Sequence, residues 1–87
     1  MCTDIREQTE ITGSGKGPSG WMRLESAGVS YDHPFHAQLE HAIGVDFVGA
    51  PGAPAGRIAV ELTIESARRL AHAILAAVDR AEAYERS

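Results

Sequence analysis

Two runs of glycine and proline divide this chain before any other pattern is read: GSGKGPSG at residues 13–20 and GAPGAPAG at 49–56. Glycine adds backbone freedom and proline removes a donor, so both runs read as loops, the first a flexible hairpin connection. What lies between must therefore be built from short elements. Upstream, TDIREQTEIT at 3–12 sets Ile5, Glu7, Thr9 and Ile11 on one face and Arg6, Gln8 and Glu10 on the other, the alternation of a strand. Downstream, WMRLESAGVSYD at 21–32 sets Met22 and Leu24 against Trp21 and Arg23, then continues with Val29 and Tyr31, which makes Ala27-Gly28 the expected bulge or close-packing point.

Pro34 keeps HPFHAQLE at 33–40 from starting as a helix, so that segment is expected to be a structured loop. A third strand follows at about 41–48, with His41, Ile43, Val45 and Phe47 on one face and Asp46 on the other. IAVEL then gives a fourth strand at about 57–62. Thr63 reads as a helix N-cap, with Glu65 in the first turn where a carboxylate favours the dipole. From about 64 to 84, Ala67, Leu70, Ala71, Ile74, Ala77, Val78 and Ala81 recur at helical spacing. The expected architecture is α+β: a four-stranded antiparallel meander with one long C-terminal helix packed on one face.

With 87 residues the chain has room for one domain. Its expected helix, about 33 Å long, exceeds the strands it should cover. An overhanging helix end and a bare second sheet face both favour a homo-oligomer, a homodimer in the simplest case. Trp21, Val29 and Tyr31 are the candidates for its sheet face. The 12 acidic and 8 basic residues leave a formal charge of -4, which disfavours nucleic acid and anionic membranes as partners. Cys2 is the one cysteine and has no internal disulfide partner. MCTDIREQTE lacks the basic start and apolar core of a secretory signal, so a cytoplasmic protein is expected.

Chemistry is concentrated in one place. His33, His36 and His41, three of the four histidines, fall within nine residues, interleaved with Asp32 and Glu40. His33 and His36, three apart across a proline turn, are spaced to reach one ion, and His41 returns from the next strand. A hairpin around 13–20 in which paired numbers sum to about 33 puts Cys2 beside Tyr31 and Asp32. A second hairpin around 49–56 brings His41 near the helix start at Thr63. On that topology His33, His36, His41 and Cys2 converge on one end of the sheet from three segments.

A Cys/His set suits zinc or copper, and adding Asp32 or Glu40 suits zinc, iron or manganese. Three histidines with an open coordination position describe a catalytic site, and a closed set of four ligands describes a structural one. The simplest alternative is a polar loop whose imidazoles bond to backbone carbonyls. A third reading is metal-free acid–base chemistry, with a histidine and Glu40 or Asp32 as the base and Tyr31 or Cys2 as donor or nucleophile. Other signals are weaker. GSGKG has Glu10 and Gly17 where a phosphate-binding loop needs Gly and Ser or Thr. His72 reads as a solvated side chain, and Arg68 and Arg69 as polar-face residues near Glu65.

The Met-Cys-Thr start, the Gly-Ser-Gly-Lys-Gly run, Tyr31-Asp32-His33-Pro34, His36, Glu40-His41, Asp46-Phe47 and the Val60-Glu61-Leu62 to Ala67 junction together resemble a group of small proteins of unknown function common in actinobacteria. The resemblance covers nearly the whole chain. It implies a shared small fold and transfers no catalytic residue. The function expected from the residues is a metal-binding protein holding one transition-metal ion, zinc, copper or iron. A metal-free interaction or small-ligand-binding domain that uses the bare sheet face is the alternative.

Overall fold

A computed structural model describes residues 5–18, 20–32, 41–50 and 57–87. Its elements are β1 (Ile5–Gly17), β2 (Gly20–Asp32), β3 (Ala42–Gly49), β4 (Arg57–Leu62) and α1 (Ile64–Arg86). The strands form one antiparallel sheet in the order β1-β2-β3-β4, so the fold is the expected α+β meander with a C-terminal helix.

The run at 13–20 is not a flexible loop. Gly13 pairs with Leu24, Gly15 with Met22, Lys16 with Trp21 and Gly17 with Gly20, so the ladder continues almost to the turn. Only two positions separate the paired Gly17 and Gly20. Gly20 has φ 107°, a conformation that side-chain-bearing residues rarely adopt. Gly15 answers to packing instead: a Cβ there would stand 2.9 Å from Ile58 Cδ1 and 3.2 Å from Leu24 Cδ1. The glycines that argued against a strand leave room for the side chains of its neighbours.

The apolar alternation of β2 moves from even numbers, Met22 and Leu24, to odd numbers, Val29 and Tyr31, and some residue must absorb the slip. Sequence put it at Ala27-Gly28, but both pair regularly, with Thr9 and Gln8. The slip falls at Glu25, where the register shifts on both sides: between Glu10 and Gly13 against β1, and between Leu24 and Ser26 against β3. A bulge is fixed by the count of residues between paired positions, and Gly28 only resembles one.

With that slip in place the two faces separate cleanly. Opposite residues of an antiparallel pair share a face, so Tyr31, Ile43 and Leu62 stand in one row, Val29, Val45 and Val60 in the next, and Ala27, Phe47 and Ile58 in the third. The other face carries Arg6, Gln8, Ser26, Ser30, Asp46 and Arg57, and there Arg57 Nη2 donates to Asp46 Oδ1 at 3.0 Å. Exposed as it is, that ion pair contributes less than about 1 kcal/mol. Trp21 and Met22 point to opposite faces, and Met22 shares the apolar one with Leu24. Trp21 therefore does not join Val29 and Tyr31 in one surface, and it stands 71% exposed at the hairpin tip. The dimer face expected from these three residues does not exist as a single patch.

The helix departs furthest from expectation. Thr63 caps it as read, its Oγ1 accepting from the Ser66 N–H at 3.0 Å, and Arg69 pairs with Glu65 one turn on. Yet none of its residues is buried, and Ala67 alone is half-covered. It touches β3 and β4 without lying along the apolar face. Periodicity marks which stripe of a helix is apolar and not what that stripe meets. Among the described residues only Leu24 and Ala42 are buried apolar side chains.

Candidate functional site

The sheet brings one end of all four strands level. Ile5 lies opposite Tyr31, Tyr31 opposite Ile43, and Ile43 opposite Leu62, a single row across the sheet. Beyond this row the N-terminal segment enters at Ile5, the histidine segment leaves after Asp32 and returns at His41, and β4 passes through Thr63 into the helix. The pairing of Asp32 with Ala42 makes His41 the first described residue on the returning side.

His41 is half-buried and stacks on Tyr31, with ring centroids 5.0 Å apart and planes 22° from parallel. The contact follows from register. With Ile43 directly opposite Tyr31, His41 is the diagonal neighbour on the same face, within reach of an aromatic ring. The stack holds the imidazole plane against the Tyr31 ring face. Asp32 stands exposed at the end of β2.

Of the other candidates, Cys2, His33, His36 and Glu40 lie outside the described residues. The register expected for Cys2 is corrected nonetheless. Strand numbers sum to 36 near this end, as in Ile5 with Tyr31, so the residue beside Tyr31 is Ile5 and not Cys2. The error is the turn's: a gap of two positions between Gly17 and Gly20 centres the hairpin later than an eight-residue loop does. Among the described residues no group of three or more His, Cys, Asp or Glu side chains comes together.

A shallow depression of about 270 Å³ lies on the polar face between Arg6, Ser30, Asp46 and Arg57. It is on the opposite side of the sheet from the Tyr31–His41 stack. Sequence reading missed it because its residues come from four strands, and only the register unites them. The family whose model matches residues 1–87 is a family of unknown function, DUF6295. The chain belongs to that family. No curated protein and no solved structure gives a significant match. Membership thus covers the whole length and assigns no chemistry. Among the described residues no helix is long and apolar enough to cross a membrane.

Proposed function

We propose that this DUF6295 chain is a metal-binding protein in which His33, His36 and His41, with Cys2 as a fourth donor, hold one zinc, copper or iron ion. One observation supports the reading: Ile5, Asp32 and His41, the described residues next in sequence to the donor-bearing segments, stand at or beside one row across the sheet, Ile5–Tyr31–Ile43–Leu62. His41, stacked on Tyr31, is the donor with a fixed ring. Asp32 and Glu40 flank the histidines in sequence and are assigned to orient them or to move protons near the ion. Tyr31 serves as the platform for His41.

Elemental mass spectrometry of tag-free protein tests this directly, beside a His33/His36/His41 triple-alanine variant. Stoichiometric metal in the wild type, lost in the variant, is the expected result. No uptake by the wild type after reconstitution with zinc, iron and copper overturns it. A Cys2→Ser variant that keeps full occupancy removes the thiolate from the set and leaves a three-histidine site.

The alternative is a metal-free interaction or small-ligand-binding domain. It is favoured by the half-exposed apolar rows of Ile43, Val45 and Val60, which no described element buries.

A further inference from the structure

Among the described residues the helix is the longest element, and none of it is buried. Leu70, Ile74 and Val78 are 46%, 54% and 45% exposed along one stripe, and Leu75 on its flank is 59% exposed. In proteins most helical stability comes from packing an apolar stripe rather than from propensity, and this stripe meets nothing among the described residues that buries it.

The occupant of this stripe is written in the stripe itself. Each large residue on it has an alanine of the same helix at the position an antiparallel copy would bring opposite. With paired numbers summing to about 150, Ile74 meets Ala77, Leu70 meets Ala81 and Val78 meets Ala71. Large against small is the arrangement that lets two helices approach and fill the space between them. The flank agrees in charge. Arg68, Leu75 and Glu82 are spaced by seven residues, so the same antiparallel register sets Arg68 of one helix beside Glu82 of the other and Leu75 against its own copy. A parallel pair would put this flank of the two helices on opposite sides of the interface, so Arg68 and Glu82 would not meet. His72 lies on the opposite side of the helix.

We propose that α1 is a homodimerisation helix, pairing antiparallel with α1 of a second copy of this chain about a two-fold axis near Leu75. The interface is isologous, so one stripe serves both subunits and the assembly closes at two. It is independent of the metal reading and uses the helix, not the sheet.

Sedimentation equilibrium of the chelator-treated full chain, from micromolar to submillimolar concentration, tests the pairing. Twice the chain mass of 9.3 kDa is expected. The Ile74→Ala/Val78→Ala variant keeps strong helix formers, so it retains the helix while raising the dissociation constant at least about a hundredfold. His72→Ala leaves the constant unchanged. Orientation is read from charge: Arg68→Glu and Glu82→Arg each weaken the dimer about threefold or more, and the two together restore it. A wild type of one-chain mass at every concentration, or a discrete mass other than two chains, overturns the proposal. So does a dissociation constant that Ile74→Ala/Val78→Ala leaves in place, and failure of the charge swap to restore overturns the antiparallel orientation.

Discussion

In the sheet every strand is fixed by a neighbour distant in sequence, as Ile5 is by Tyr31 and Val45 by Val60. In the helix the polar contacts span four residues at most: Thr63 to Ser66, Glu65 to Arg69, and Ser87 back to Tyr84. Among the described residues the sheet holds the two buried apolar side chains, Leu24 and Ala42, and the helix holds none. The difference teaches where stability comes from in a chain this small. Non-local pairing organises the sheet within one copy, while the helix, rich in alanine and well capped, is formed locally and gains its packing from outside.

The comparison can be broken at its strongest point first. Leu24→Ala removes the large side chain at which β1, β2 and β4 meet, and is expected to cost about 2–5 kcal/mol in urea unfolding at a fixed protein concentration. A loss below 1 kcal/mol would mean that the sheet, too, is held mostly by contacts outside the chain. Thr63→Ala removes the N-cap and should cost about 1 kcal/mol. Amide exchange should place that loss in the first helical turn, leaving β2 protection almost untouched. Glu65→Gln removes the ion pair with Arg69 and a first-turn charge, and should change stability by no more than about 0.5 kcal/mol. If Thr63→Ala cost as much as Leu24→Ala, the helix would be integral to the sheet's cooperative unit and the contrast would fail.

Much of this fold was legible from residue order, and the exceptions share a cause. The four strands and the helix, its cap at Thr63 and its start at Ile64, follow from alternation, helical spacing and capping chemistry, all of which are local. Residues 13–17 looked unfit for a strand because glycine propensity is local too, but the need to fit Leu24 and Ile58 beside Gly15 is not. The position of the slip at Glu25 and the two-position gap between Gly17 and Gly20 depend on pairing across strands, which spacing within one strand cannot show. The same limit applies to the site. His41 was assigned to the end of the sheet from the β3–β4 hairpin, whereas its stack on Tyr31 needs the β2–β3 register, and the Cys2 register was misjudged through the turn. The helix stripe was visible, but its failure to lie on the sheet was not.

Finally, the two aromatic residues of β2 make the molecule its own optical ruler. Trp21 sits exposed at the hairpin tip and Tyr31 stacks on His41 at the far end. Ten residues of strand separate them by about 33 Å. A paramagnetic ion at His41 would therefore broaden the Tyr31 ring signals while leaving the indole unaltered. Association through the hairpin tip would shift the indole emission and spare the tyrosine. The Tyr31 ring and the indole thus report on the two ends of the sheet separately, with no label attached.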